Sequence, residues 1–138
     1  MDPLLALATV AALVAGATAV GLVWRSGQGR IRQTAGADAV AIDGVDLASG
    51  ITLLQFSSEY CPPCRATARV LDDLAHAHGV SHVELDVAER PELAARFGIL
   101  QTPTTLVLDR TGRVRARIGG AVRREQLAAE LDRLSVAA

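Results

Sequence analysis

Ile51-Thr52-Leu53-Leu54-Gln55-Phe56, followed after three intervening residues by Tyr60-Cys61-Pro62-Pro63-Cys64, is the stretch that decides the fold. Its first six residues are almost continuously apolar, as in a strand covered on both faces, so this strand is expected at the centre of a sheet. Beyond Cys64, Val70, Leu71, Leu74 and Ala77 recur at helical spacing, with Arg65, Arg69, Asp72 and Asp73 on other faces and Arg69 one turn from Asp73. A strand that ends in C-x-x-C and continues as a helix exposes one thiol. Cys61 falls just ahead of the first helical turn, where unpaired backbone N–H groups and the positive end of the helix dipole favour thiolate, the nucleophilic form. Pro62 and Pro63 suit the first helical positions, where a missing N–H costs nothing, and they stiffen the loop between the sulfurs. Cys64, one turn inward, is placed to resolve a mixed disulfide.

Working outward toward the C-terminus, Gly79 closes the helix, and Val83, Leu85 and Val87 alternate with Glu84 and Asp86 as a strand. Pro91 opens a short helix carrying Leu93 and Phe97, which Gly98 ends. Thr104 to Leu108 is a β-branched, apolar strand; 109–112 is a hairpin turn; Val114, Ala116 and Ile118 alternate with Arg113, Arg115 and Arg117. Gly119 and Gly120 break that strand, and Leu127, Leu131 and Leu134 mark an amphipathic last helix. The order from Ile51 is strand, helix, strand, helix, strand, strand, helix. The three arginines read as a solvated edge face, and His76, His78 and His82 as a solvated helix end.

Toward the N-terminus, 39–42 is expected as a short edge strand and 43–50 as a turn. Residues 26–36 hold glycine, glutamine, serine and threonine without apolar periodicity and read as a flexible linker between an anchor, 1–25, and a folded domain, 37–138. Leu4 to Trp24 carries no charge. As a helix rising about 1.5 Å per residue it reaches roughly 31 Å, the thickness of a bilayer core. The segment reads as an uncleaved single-pass anchor in the lipid bilayer. A cleaved signal peptide competes, since Ala17-Thr18-Ala19 is a small-x-small site, but Met1-Asp2-Pro3 has no basic side chain. Trp24 stands at an interfacial position, and Arg25, Arg30 and Arg32 after it place the domain in the cytoplasm by the positive-inside rule, with an extracytoplasmic domain as the alternative.

Composition excludes other classes. A net charge of −1 leaves no footprint for nucleic acid, and the arginines, with no lysine in the chain, reflect coding bias. Two cysteines can bond only each other, a substrate or a metal. Four-coordinate zinc needs two more ligands, and the histidines lie at and beyond the far end of the helix that begins at Cys64.

With these elements in order, residues from about 37 to 136 resemble the thioredoxin family. The cysteine pair follows the first long strand and opens a helix; Thr102-Pro103-Thr104 resembles the family's cis-proline loop; Gly119-Gly120 matches a glycine ahead of the last helix. The resemblance implies a thioredoxin-like three-layer α/β/α sandwich around a mixed β-sheet, preceded here by one transmembrane helix. It also implies that Pro103 packs against the cysteines while Thr102 offers backbone groups to substrate. There are departures. Tyr60, Cys61, Pro62, Pro63, Cys64 and Arg65 stand where the family usually has Trp-Cys-Gly-Pro-Cys-Lys, so Tyr60 supplies the aromatic rim. Gln55 replaces the family's buried aspartate and cannot take a proton from the resolving thiol, while Glu84 replaces a nearby lysine and either supplies the missing carboxylate or is a solvated strand residue that leaves the task to water.

The activity implied is thiol–disulfide exchange between the Cys61–Cys64 pair and disulfide-containing proteins, with no bound cofactor: a reductant fed by an upstream thiol reductase if the domain faces the cytoplasm, and a reductant or an oxidant if it faces outward. Two other classes fit the same residues: a membrane-anchored binding or assembly protein with idle cysteines, and a carrier of copper or another soft metal on the two thiolates.

Overall fold

The computed structural model describes residues 2–34, 39, 41–47 and 50–137. α1 (Pro3–Gly27) is followed by β1 (Ile31–Gln33), β2 (Thr52–Ser57), α2 (Pro62–His78), β3 (Ser81–Asp86), α3 (Pro91–Arg96), β4 (Thr104–Leu108), β5 (Val114–Gly119) and α4 (Arg124–Val136). The five strands form one mixed sheet in the order β1-β5-β4-β2-β3. All six residues of β2 are buried, which places the apolar run between two partners and two covering layers. β2 pairs parallel with β3, with Leu54 opposite Val83, and antiparallel with β4, with Leu54 opposite Leu106. The parallel partner needs a crossover, and α2 supplies it.

Alternation along the strands sorts the core into two halves. Leu53, Val107, Ala116 and Ile118 pack under α2 and α4 against Leu71, Leu74, Leu127, Leu131 and Leu134. Leu54, Phe56, Leu106, Leu108 and Val114 face the other way, toward Leu93 and Ile42. Val114 lies on a different face from Ala116 because a bulge shifts the β4–β5 register between Val107 and Leu108. Phe56 meets Phe97 with ring centroids 5.8 Å apart and tilted, worth about 0.5–1.5 kcal/mol beyond burial. Between the helices, Asp73 pairs with Arg124 rather than with Arg69, and His78 Nδ1 lies 3.2 Å from Asp132. α1 is 25 residues long with a mean hydropathy of 2.1 in its most apolar window and no buried residue, long and apolar enough to cross a membrane, as some signal sequences also are.

Three expectations need correction. Ile31–Gln33, within the proposed linker, is an edge strand antiparallel to β5, with Ile31 opposite Ile118 and Gln33 opposite Ala116. Three residues are too few to display a period; tertiary pairing makes this strand, helped by Gln33 donating to Glu130 of α4 at 3.3 Å. Ala39, Ala41 and Ile42 form no strand, and Val40 lies outside the described residues, as do Ala37 and the pair Ala48-Ser49. With β1 on its flank, β5 is no edge. Arg117 is accordingly not solvated: its guanidinium donates to the carbonyls of Phe97 and Gly98 at 2.6 Å each, capping the end of α3.

The β4–β5 hairpin turns on Asp109, whose Oδ1 accepts from the Thr111 amide at 2.9 Å, the Thr111 hydroxyl at 2.6 Å and the Arg113 amide at 3.1 Å. Burial alone raises the Asp109 carboxyl, but the Thr111 and Arg113 bonds and the nearby Arg115 outweigh it and hold it below its ordinary value. A depressed folded pKa means stability that is complete above the unfolded value, about 4, and lost as pH falls through the folded one. Asp109→Asn keeps an acceptor but removes the charge. Urea unfolding should therefore separate wild type from variant at about pH 6 and bring them together below about pH 3. Parallel curves would assign the turn's stability to neutral hydrogen bonding. At Gly29, φ is +72° and a Cβ would sit 2.7 Å from the Ala121 carbonyl. Gly29→Ala should cost at least about 1–2 kcal/mol from the left-handed backbone alone and strip hydrogen-exchange protection from Ile31 and Gln33 before the other strands.

Candidate active site

The chain leaves β2 at its C-terminal end and reaches Cys61 four residues later. Cys61 is the N-cap of α2, in extended conformation, and Pro62 and Pro63 open the helix. Neither proline has an N–H, and the Cys64 amide donates back to the Cys61 carbonyl at 3.0 Å, so the first turn forms without orphaned donors at those positions. Cys61 and Cys64 are joined as a disulfide with their Cα atoms 5.3 Å apart. Cys61 is 8 % exposed and Cys64 2 %, while Tyr60 beside them is 88 % exposed. Both cysteines are thus buried, Cys61 less completely than Cys64, and the exposed Tyr60 side chain forms a rim beside them.

The peptide bond Thr102–Pro103 is cis. Because Phe56 pairs with Thr104, the residue just ahead of β4 lies at the sheet end where β2 turns toward Cys61. Pro103 is buried, and its carbonyl accepts from the Gly120 amide at 2.8 Å. Thr104 Oγ1 donates to the Gln101 carbonyl at 2.7 Å, tightening the same loop. The topology thus brings Tyr60, Cys61, Cys64, Thr102 and Pro103 to one rim of the sheet.

Behind the inner cysteine the sequence reading missed a partner. Gln55 is fully buried, and its Nε2 donates to the Cys64 carbonyl at 3.0 Å. That leaves Oε1 as an acceptor, and it faces His82 Nε2 at 3.2 Å; His82 Nδ1 lies 2.6 Å from Asp72 on α2. An amide oxygen can only accept, so the bond to Gln55 Oε1 is donated by His82 Nε2. His82 is thus no solvated helix end: it sits on β3 with a side chain only 7 % exposed. The alternation of Val83 and Leu85 with Glu84 already put His82 on the face of Gln55, and that parity was the available signal. Glu84 is the register partner of Gln55 but is exposed and makes no hydrogen bond or ion pair among the described residues. Thr105, also opposite Gln55, and Thr67 on α2 keep buried hydroxyls without a partner among the described residues. Among the described residues no three His, Cys, Asp or Glu side chains are grouped to hold a metal ion.

A disulfide-bonded C-x-x-C pair at a helix N-terminus, beside a cis-proline loop and over a mixed sheet, defines a thioredoxin-like fold equipped for thiol–disulfide exchange. Residues 42–133 match the family model described as Thioredoxin, and the chain belongs to that family. Thioredoxin of Alicyclobacillus acidocaldarius is 41 % identical over 81 residues, 57 % of this chain and 76 % of that protein. Thioredoxin of Staphylococcus haemolyticus is 33 % identical over 90 residues, 64 % of this chain and 86 % of that one. Among solved structures, a thioredoxin of Nicotiana alata superposes with a TM-score of 0.54 at 26 % identity, covering 62 % of this chain and 73 % of that one. A mutant thioredoxin of Halobacterium salinarum shares the fold, with a TM-score of 0.55 at 23 % identity, covering 59 % and 72 %. Family and cysteine pair together establish thiol–disulfide oxidoreductase chemistry on protein disulfides as the general activity.

The buried polar chain carries a prediction for stability. Gln55→Leu and His82→Ala, singly and combined, should show a coupling of about 0.5–3 kcal/mol in urea unfolding. Additive effects would mean that His82 and Gln55 do not bond in solution.

Proposed function

We propose that the protein is a membrane-anchored disulfide reductase whose redox domain lies on the cytoplasmic side. The observation that carries this reading is the Cys61–Cys64 pair at the start of α2, on the sheet rim that also holds the cis Thr102–Pro103 bond. Cys61 as thiolate attacks one sulfur of a protein disulfide, forms a mixed disulfide and releases a substrate thiolate. Cys64 then attacks Cys61 Sγ, releasing the second substrate thiol and leaving the Cys61–Cys64 disulfide. Two electrons and two protons pass to the substrate, and an upstream dithiol protein restores the pair. Tyr60 and the backbone at Thr102 and Pro103 hold the substrate chain alongside the sulfurs.

Pro62, Pro63 and Gln55 tune the pair. The prolines take two amide donors from the helix start, so Cys61 relies on the remaining dipole for thiolate stabilisation. Gln55 anchors the Cys64 carbonyl but cannot accept a proton. Glu84, opposite Gln55 on the neighbouring strand, is the carboxylate we assign to that task through solvent, and Glu84→Gln should shift the pH dependence of turnover; an unchanged profile removes it from the mechanism. The uncharged span Leu4 to Trp24 and the arginines Arg25, Arg30 and Arg32 after it support the anchor and the cytoplasmic side.

Equilibration of the full chain in dithiothreitol buffers should give a reduction potential near the thioredoxin figure of about −270 mV, whereas a value near about −120 mV would make it an oxidant on the outer face. In parallel, Cys64→Ser should accumulate a mixed disulfide with substrate protein and Cys61→Ser should abolish reduction. Retained function in Cys61→Ser would favour a binding role for the fold.

A further inference from the structure

The sheet rim that carries the thiols is also where the apolar helix joins the domain. Ile31 at the start of β1 lies opposite Ile118 near the end of β5. Gly119 at the end of β5 lies opposite Thr104 at the start of β4. Thr104 lies opposite Phe56 near the end of β2. Each antiparallel step turns a start into an end, so the entry from α1 and the exit toward Cys61 share one rim. Across the sheet they are three strand spacings apart, roughly 14 Å.

The connection is short and fastened. Only Gln28, Gly29 and Arg30 separate α1 from β1. The Gln28 amide donates to the Arg25 carbonyl at 3.3 Å and the Gly29 amide to the Gly119 carbonyl at 2.8 Å. Gly29 and Gly120 leave no open space at the junction, since an added Cβ would meet Ala121 at 2.7 Å or Gln28 at 3.2 Å. A cavity of about 460 Å³ opens on this rim, lined by Trp24, Gly27 and Gln28 from the helix end and by Leu100, Gln101 and Gly119 from the domain. Leu100, in the loop that leads to cis Pro103, is 96 % exposed, and Trp24 is 71 % exposed. An interfacial tryptophan and the substrate loop therefore border the same groove.

Resting on the anchor proposed above, we infer that the thiol face is held against the bilayer surface and that its substrate is a disulfide carried in the interfacial layer by a membrane-embedded protein. Trp24 marks the depth of the headgroups, Leu100 supplies an apolar contact to the same layer, and Arg25, Arg30 and Arg32 add attraction to anionic lipid. Confinement to the plane at a set height raises the effective concentration of surface disulfides and withholds the site from those held far above it. The exchange itself is unchanged: the Cys61–Cys64 dithiol is oxidised, the partner's disulfide is reduced to two thiols, and dithiothreitol serves as the reductant in the assay.

The full chain in vesicles of phosphatidylcholine and phosphatidylglycerol provides the test. In a Trp24→Phe background, a single tryptophan at position 100 (Leu100→Trp) should be quenched by brominated lipids, while one at position 110 (Arg110→Trp), in the hairpin at the opposite sheet end, should not. Single-span peptides with an intramolecular disulfide loop, either at the interface or about 40 Å above it on a rigid helical spacer, should differ about tenfold in reduction rate. A flexible Gly/Ser insert of about 12 residues between Gly27 and Gln28 should remove most of that difference. Equal rates for near and far loops, or an unquenched tryptophan at position 100 in a chain that floats with the vesicles, would overturn the inference alone. A chain that does not float with them overturns the anchor and the inference with it.

Discussion

Burial of β2 on both faces is the constraint from which the rest follows. A strand with no exposed residue needs a neighbour on each edge and a layer on each side, and the chain meets all four needs with β3, β4, the α2–α4 pair and the α3 layer. The chain leaves this strand at its C-terminal end, beyond Ser57. There the chain must turn, and the turn is where the cysteines stand. The position of the redox pair is thus a consequence of core formation, and the prolines set its local shape.

The same burial makes Gln55 expensive. An amide at the centre of a sheet loses water on both sides and costs about 1–3 kcal/mol for a group left unpaired. Its carboxamide is instead used twice, as donor to the Cys64 carbonyl and as acceptor from His82. Asp72, on the exposed side of α2, completes the chain to solvent. A buried acid there would need a titrating partner or a raised pKa; a neutral amide bonded to the buried His82, which meets Asp72 at the surface, links the inner cysteine to solvent without a carboxylate at the sheet centre.

How much of this was legible depended on whether a residue's fate is decided by its neighbours in sequence. The β2 run, the C-x-x-C at a strand-to-helix junction, Gly79, Gly98 and the alternation of Val83 with Leu85 are local signals, and they located the central strand, the helices and the Cys61–Cys64 pair. β1 was not legible, because Ile31-Arg32-Gln33 becomes a strand only through β5 and Glu130. Arg117 looked solvated because nothing in its own strand shows that the end of α3 lies beneath it. His82 looked remote because distance was counted along α2, whereas the parallel β2–β3 register folds it back beside Gln55. In that register Glu84 lies directly opposite Gln55, while the polar contact to Gln55 comes from His82, two residues before it.

The misread linker matters most for function. Had residues 26–36 been flexible, the domain would sample a wide volume above the membrane, and the location of the thiols on the fold would say nothing about their targets. A strand that begins at Ile31 and an amide bond from Gly29 to Gly119 remove that freedom. Three antiparallel pairings then carry the polarity of the junction across the sheet to β2, so the direction in which the helix arrives decides which way the cysteines face. A parallel β1, or one more crossover, would have put the thiols at the far end of the domain. The sheet order is therefore part of the proposed specificity: it converts the position of an anchor into the orientation of a site.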